Sequence, residues 1–444
     1  MASDFLVSSY LLRSETLTHI LFLNRSFWPD REATGQFFTE LCDDLATEHQ
    51  ITFLAGPACH GGHPLRTAGA RLWFREHRGR IEIVRTQGTR LSKRRLPLRM
   101  LNLGSYFTLA AAASRTLERP DLIVAATDPP LLGLLGARLK RRWNCPLVYN
   151  VRDLYPDIAY INGGLRSRPL LKVLEYANQR AFAAADRVIV LGADMRDRII
   201  AKGVASERIT VVTDWVDCAA IKPSASSHLR DTFGGKFVVM YSGNLGLSQQ
   251  LETVISAAER LQSEPHLLFV LAGEGARKSS LMSQAAARGL SNVCFLPYQP
   301  KELLAESLSA ADLHLIPLKA GAAGCLVPSK VYGIMAASRP FVAMMDSASE
   351  VARLAKRHDI GSVVPPGDDA ALAASVRDLA NRPNDLALMG LKARQLALRC
   401  FDRRIVTRKF GEVLSDVGRL EEARKAPWLT QEDLRNADQI SALG

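Results

Sequence analysis

No charge-free apolar run in the 444 residues reaches the ~18 that a membrane span needs. The closest, 100–114, is short and is interrupted by Asn102, Gly104 and Ser105. Residues 1–18 mix charged and polar side chains with apolar runs too short for the core of a secretory leader, so none is expected. The seven cysteines include no Cys-X-X-Cys pair, which argues for reduced thiols in the cytoplasm and against a disulfide framework or a zinc site. Acidic residues are outnumbered, 45 against 57 basic, and the formal charge of +12 suits a nucleic acid, an anionic membrane surface or a phosphorylated partner. Between Glu82 and Glu118 there is no acidic residue at all.

What is present is a repeating alternation of short apolar strands and amphipathic helices, the pattern of an α/β protein built on parallel sheets. The strand His19–Leu23 is followed by a loop and a helix opening at Thr34-Gly35. That first loop has no G-x-G-x-x-G run, so the dinucleotide fingerprint is missing where it should stand. Further strands are expected at Ile51–Leu54, Ile81–Val84, Asp121–Ala126, Leu147–Val151, Arg187–Leu191 and Ile209–Val212. Thr127-Asp128 is read as a helix cap, and Arg152-Asp153 lies just past the end of a strand, where α/β proteins place their chemistry. Residues 218–235, with Pro223, several serines and a Gly-Gly pair, read as a linker. A second series begins at Phe237–Tyr241 with the turn Ser242-Gly243-Asn244-Leu245-Gly246, and continues through Leu267–Leu271, Val293–Leu296, Leu313–Leu318 and Pro340–Met344. The expected divisions are residues 17–217, a linker 218–235, a second domain 236–398, a returning helix 399–418 and a tail 419–444.

Two stretches carry charge with a purpose. Arg85, Arg90, Lys93, Arg94, Arg95 and Arg99 precede an apolar helix with Leu101, Leu103, Tyr106 and Phe107. Basic residues beside an apolar face suit an anionic membrane; nucleic acid fits less well, because aromatics are not interleaved with the charges. The other stretch is Gly324–Pro340. A strand, a glycine- and alanine-rich loop and a helix opening at Pro328-Ser329 direct free N–H groups at one spot. Serine at that position is expected to cap the helix. Lys330, a cation in the first turn, opposes the helix dipole, so its placement points to a phosphate partner.

Several motifs, taken in order, resemble the retaining glycosyltransferases of family 4, with their GT-B fold of two Rossmann-like domains and a deep inter-domain cleft. They are Thr34-Gly35, Asp153-Leu154-Tyr155-Pro156, Asp214-Trp215-Val216-Asp217, Tyr241–Gly246, Ala272-Gly273-Glu274-Gly275, Phe295-Leu296-Pro297-Tyr298 and Val327–Ala337. The likeness is to the bacterial branch that builds capsule, O-antigen and colanic-acid-type polysaccharides. It implies a UDP- or GDP-sugar donor on the second domain, at Gly243, Asn244, Gly246, Gly273, Glu274, Pro297, Tyr298, Ser329 and Lys330. It implies an acceptor against the first domain near Thr34 and Gly35, namely a polyprenyl-diphosphate-linked saccharide, with catalysis in the cleft at the cytoplasmic face of the plasma membrane. No metal or other cofactor and no nucleic acid are expected; Lys330 and backbone N–H groups would stabilise the leaving diphosphate.

This chain departs from the family pattern. Two glutamates common in relatives fall here on Cys325 and Gly333. The cations that often follow the first strand of the second domain are replaced by Asn244 and Gln249 or Gln250. A common histidine is Arg152, which stays protonated and is a poor base. Arg152 is left to contact the donor, Asp153 to position the acceptor hydroxyl or stabilise an oxocarbenium-like state, and Lys330 to act on the diphosphate. Two alternatives share the fold: a sugar-nucleotide 2-epimerase, and a membrane-associated scaffold without catalysis.

Overall fold

The computed structural model describes residues 18–425, except 31, 61–62, 65–70, 90, 92–95, 164–166, 225–227 and 247–248. The basic residues Arg90, Lys93, Arg94 and Arg95, and the end of the tail, lie outside the described residues.

The first sheet has eight strands. They are β1 His19–Leu23, β2 Gln50–Ala55, β3 Trp73–Arg78, β4 Ile81–Thr86, β5 Leu122–Ala125, β6 Leu147–Val151, β7 Arg187–Val190 and β8 Ile209–Val211. Their order is β8-β7-β6-β5-β1-β2-β4-β3. All pairings are parallel except that of β3 with β4. Strand β3 was not legible beforehand: Trp73-Phe74-Arg75-Glu76-His77-Arg78 has charge where a buried strand would have aliphatics, because it is an edge strand. Helices α1 (Ala33–Leu45), α2 (Leu96–Ala113), α3 (Leu132–Trp143), α4 (Asp157–Ile161), α5 (Arg168–Ala184) and α6 (Ala193–Ala201) cover the faces. One face packs α2, α3, α5 and α6 through Tyr106, Leu135, Phe182 and Met195. The other packs α1 through Phe38 and Leu41.

The second sheet has six parallel strands. They are β9 Phe237–Ser242, β10 Leu267–Ala272, β11 Val293–Leu296, β12 Leu313–Pro317, β13 Phe341–Met344 and β14 Gly361–Val364. Their order is β11-β10-β9-β12-β13-β14, so the sequence reverses direction between β9 and β12. Ligands of open α/β sheets bind in the crevice at the carboxyl ends of the strands at such a reversal. The helices here are α7 Glu252–Arg260, α8 Lys278–Ala287, α9 Leu304–Ser309, α10 Lys330–Ala336, α11 Glu350–His358, α12 Asp369–Ala380 and α13 Pro383–Leu396. The last helix, α14 Arg403–Lys425, returns to the first domain. Arg403 donates to Asp44 and to the Glu40 carbonyl, and Phe410 and Leu414 join the α1 face.

Arg85 is not part of a basic surface. It is 1% exposed, its Nε donates to Glu76 at 2.6 Å, and its guanidinium also reaches the Gly56 and Trp28 carbonyls. A run of like charge in sequence gives no sign that one member points inward, because the partners come from β3 and from the loop after β1. Burial of an ion pair leaves the second partner uncompensated when the first is removed. Arg85→Met is therefore expected to lower unfolding free energy by about 2–3 kcal/mol, the partial exposure of Glu76 holding it below the fully buried range. Urea denaturation should show a lower midpoint at an unchanged slope.

Candidate active site at the domain cleft

The turn after β9 and the helix after β12 meet at the reversal point of the second sheet. Three glycines build the turn side. Gly243, Gly273 and Gly275 have φ of 142°, 146° and 158°, values that side chains rarely adopt. The packing leaves no room for one either: a Cβ on Gly273 would lie 1.9 Å from the Gly243 carbonyl oxygen, and one on Gly275 2.4 Å from that of Leu245. The Gly243 N–H donates to the Ala272 carbonyl and the Leu245 N–H to that of Glu274, which joins the two turns into one cradle.

Lys330 enters this cradle from the first turn of α10. Its Nζ lies 3.8 Å from the Tyr241 ring centroid, and a Cβ on Gly243 would come within 3.0 Å of it. Among the described residues no carboxylate pairs with it. An edge of the side chain remains accessible. The ammonium itself is crowded by protein, and that desolvation pulls its pKa down to about 7. The Tyr241 hydroxyl donates to the Asn244 carbonyl at 2.7 Å, which fixes the ring under the amine. His314, in β12, is buried with its Nε2 2.9 Å from the Leu308 carbonyl, and burial lowers its pKa to about 4, so it adds no charge here.

The remaining expected donor-side residues line the same edge. Asn244 and Gln249 crowd Gly246, and Gln249 Oε1 is buried without a partner. Glu274 is exposed and pairs with Lys278 at 2.6 Å. Pro297 and Tyr298 follow β11, with Tyr298 53% exposed and its hydroxyl bonded to the Glu274 backbone. Ser329 does not cap α10. Its backbone is already helical (φ −61°, ψ −20°) and its side chain makes no capping hydrogen bond; capping needs an extended residue. The helix has only seven residues, so fixed charge at this spot comes from Lys330 more than from the dipole.

Across the cleft, Thr127 also departs from its expected role as a cap. Its Oγ1 accepts from the backbone N–H groups of both Arg152 and Asp153, at 3.2 Å each, and so pins the turn from below. Arg152 is committed elsewhere than to a donor: its Nη2 donates to Asp214 at 2.7 Å, and its guanidinium lies 5.0 and 5.8 Å from the Phe37 and Phe38 ring centroids. Burial pushes the Asp214 carboxyl up and Arg152 pulls it back. Asp153 is half-buried at the lip of the cleft. Its neighbour Leu154 donates its N–H to the Cys325 carbonyl at 2.7 Å, which brings the Asp153 turn against the loop leading to Lys330. Cys325 is fully buried there. A Cβ on Gly333 would face Leu308 at 3.4 Å.

Thr34 and Gly35 begin α1, where a Cβ on Gly35 would lie 3.2 Å from Asp30 Cβ, so the helix abuts the loop after β1. Beside that loop sits a pair the sequence did not flag: Arg25 Nε to Asp128 at 3.2 Å, with Ser26 Oγ donating to the other carboxylate oxygen at 2.8 Å. Asp128 raises the Arg25 pKa further above its already basic value. The two residues are 103 positions apart and meet only because β1 and β5 are neighbours. No group of three or more His, Cys, Asp or Glu among the described residues is arranged to hold a metal.

Comparison with known proteins accords with this architecture. The family model "Glycosyl transferase 4-like domain" matches residues 33–215, and "Glycosyl transferases group 1" matches 230–396. The colanic acid biosynthesis glycosyl transferase WcaI of Escherichia coli (strain K12) is 27% identical over 88% of this chain and 98% of its own. Glycosyltransferase WbjE of Pseudomonas aeruginosa is 26% identical over 72% of this chain and 81% of its own. Among solved structures, Anabaena HepE in complex with UDP superposes with a TM-score of 0.68 at 20% identity, over 90% of this chain and 100% of that one. Sucrose-phosphate synthase of Thermosynechococcus elongatus gives 0.73 at 16% identity, over 90% and 99%.

The Lys330 geometry has a signed consequence. An anion favours the protonated amine, so the pKa rises on binding and a proton is taken up above about pH 7. Affinity for a nucleoside diphosphate, with UDP as the probe, should be level below that pH and fall by up to about tenfold per unit as pH rises toward about 9. Titration calorimetry in buffers of different ionisation enthalpy reads the uptake directly, and Lys330→Met should abolish it. Gly273→Ala, which meets backbone, should abolish UDP binding, whereas Gly246→Ala, which meets only side chains, should weaken it by less than about tenfold.

Proposed function

The chain belongs to the family 4 type of GT-B glycosyltransferases, and from that premise we propose that it transfers a sugar, with retention, from a UDP- or GDP-sugar to a lipid-linked saccharide. Its relatives place it among glycosyltransferases of polysaccharide biosynthesis. The observation that carries the finer reading is Lys330: an accessible cation, with no carboxylate partner among the described residues, in a backbone cradle at the reversal point of the second sheet. A diphosphate supplies the missing anion, and its leaving group gains charge as the glycosidic bond breaks, so a fixed cation there favours the transition state over the ground state. In this reading Lys330 acts without a metal, and the glycine turns, whose Gly243, Leu245 and Gly273 N–H groups are spent on holding the cradle together, supply the room for the diphosphate.

Asp153 takes the acceptor side. Thr127 holds its backbone, and the Arg152–Asp214 pair holds its neighbour; on this fixed turn its carboxylate orients the acceptor hydroxyl or the positive charge that develops on the sugar. Arg152 acts by fixing this turn.

The protein works at the cytoplasmic face of the membrane in this proposal. No helix among the described residues is long and apolar enough to cross a bilayer. Arg85 is buried and leaves the membrane expectation to the rest of the run to Arg99; among the described residues a further surface that suits a bilayer lies on α5 and its surroundings. Tyr160, Val173 and Tyr176 are 62, 59 and 62% exposed, among Arg168, Lys172 and Arg180. The one acid of that helix, Glu175, is turned to Lys202. Leu101, 56% exposed on α2, projects from the same side of the sheet. Tyrosines with basic neighbours favour the headgroup layer of anionic lipid.

Nucleoside diphosphate release from a panel of UDP- and GDP-sugars, with and without a lipid-linked acceptor, tests the reaction. Release that requires the acceptor, and falls by on the order of 10²-fold or more in Lys330→Ala, is expected. Turnover without diphosphate release would mean an epimerase, and no turnover with any donor a scaffold. Co-sedimentation with anionic vesicles should weaken in Tyr176→Ser with Lys172→Glu; no sedimentation of the unaltered protein even at low salt would sink the membrane part alone.

A further inference from the structure

Helices α6 and α11 come from different domains and meet with their N-termini together. Neither is capped by its own sequence. The residue before α6 is Gly192, which has no side chain to offer. The residue before α11 is Ser349, extended at φ −67° and ψ 152° as a cap should be, yet its hydroxyl makes no capping bond and is buried without a partner. The caps are exchanged instead. Asp194 Oδ2 accepts the N–H of Glu350 at 2.9 Å, and Glu350 Oε2 accepts the N–H of Ala193 at 2.8 Å. Two positive helix ends brought together would repel, and each carboxylate stands at both ends at once.

Asp194 does more than cap. It is 8% exposed, its Oδ1 accepts the N–H of Met195 at 2.7 Å, and its Oδ2 also accepts the N–H of Gly324 at 3.1 Å. Gly324 lies in the loop that runs from β12 to Lys330, with φ of 72°, and a Cβ on it would fall 2.7 Å from the Asp194 carbonyl oxygen. The rest of that loop is also held by the first domain: Arg198 donates to the Ala323 carbonyl at 3.0 Å, Lys319 to the Ile161 carbonyl at 2.7 Å, and Leu154 N–H to Cys325. The loop carrying the phosphate-side lysine is therefore shaped by the opposite domain, beside Asp153.

We propose that Asp194 is a positioning residue for sugar transfer. With Glu350 it forms a reciprocal cap that seats the 319–325 loop of the donor domain on the Asp153 turn of the acceptor domain, so that the two halves of the site are in register only when the cap is made. The inference rests on the glycosyl-transfer reading for its catalytic part and on the hydrogen bonds alone for its structural part. Asp194 touches neither substrate; it acts on where Lys330 and Asp153 stand relative to each other.

The test separates the two parts. Hydrogen exchange, read by peptide over residues 320–325 and 349–352, needs no substrate. Asp194→Ala should speed exchange in both segments while the sheet cores stay protected. Unchanged exchange overturns the cap, whatever the enzyme does. In kinetics, Asp194→Ala should lower kcat by on the order of 10²-fold, the scale of a small misplacement of reacting groups, with the Kd for UDP changing by less than about fivefold because Lys330 stays seated against Tyr241 and Gly243 of its own domain. Asp194→Asn keeps one acceptor oxygen for the Glu350 and Gly324 N–H groups but sets its NH2 against the Met195 N–H, and should recover kcat in part. A loss of UDP affinity equal to the loss of kcat, or an Asn variant as poor as the Ala variant, overturns the positioning role. Glu350→Gln, which retains an acceptor for the Ala193 N–H, serves as the second variant should Asp194→Ala fold poorly, and is expected to lie between wild type and Asp194→Ala in both measurements. No diphosphate release from the unaltered protein with any donor would sink the sugar-transfer reading and leave the exchange result standing.

Discussion

A lysine placed on an aromatic ring, with no carboxylate partner among the described residues, is the constraint around which the second domain is built. The Tyr241 ring face offers Lys330 a weak electrostatic partner at 3.8 Å but cannot satisfy its three donors. The charge stays available, at the cost of a pKa drawn down toward 7 by desolvation. Bringing backbone this close to the amine requires a residue without a Cβ at Gly243. Bringing the β10 turn onto the β9 turn requires the same at Gly273 and Gly275. The three glycines and the lysine are thus one device. Their meeting is set by the reversal of strand order between β9 and β12, which opens the crevice that the lysine enters from one side and the glycines line from the other.

The first domain handles charge in the opposite way. Arg152 is paired with Asp214, Arg25 with Asp128, and Arg85 with Glu76. The first two pairs join segments 62 and 103 positions apart and the third joins the neighbouring strands β3 and β4, and each fixes a loop at or near the carboxyl edge of the sheet. Paired charges hold geometry because breaking them leaves a desolvated ion. An unpaired charge holds a ligand because the ligand completes it. The contrast sets Arg152, paired through its Nη2, apart from Lys330, which has no carboxylate partner among the described residues.

Local signals in the chain announced local features. Apolar runs marked the buried strands, and the glycine turns, the linker serines and Pro328-Ser329-Lys330 stood where the structure has turns and a helix start. The signals failed where a partner came from far away. Arg85 looks like one more member of a basic run until β3 brings Glu76 beside it. Thr127 looks like a helix cap until β5 and β6 pair and carry its hydroxyl under the Arg152-Asp153 turn. Ser329 has the right identity for a cap and the wrong backbone. Gly192 and Ser349 carry a trace that could have been read: one helix start with no side chain and another whose serine goes unused suggest that a cap is supplied from elsewhere, though not by which residue.

The absence of a glutamate at 325 acquires a physical reading from the same packing. Cys325 has no access to a donor sugar: its side chain is fully buried and its carbonyl is tied to Leu154 of the opposite domain. A carboxylate at that position would be desolvated, with Arg198 and Lys202 on one side of the balance and Asp157 and Asp194 on the other. A thiol is neutral there, since burial holds its pKa up at about 11, and so the loop can dock without a charge penalty. At 333 a Cβ would lie 3.4 Å from the Leu308 side chain, an ordinary contact, so packing there does not by itself exclude a side chain. The contacts that this loop makes across the cleft run through its main chain, and in the proposed reading diphosphate recognition rests on Lys330 and the glycine turns.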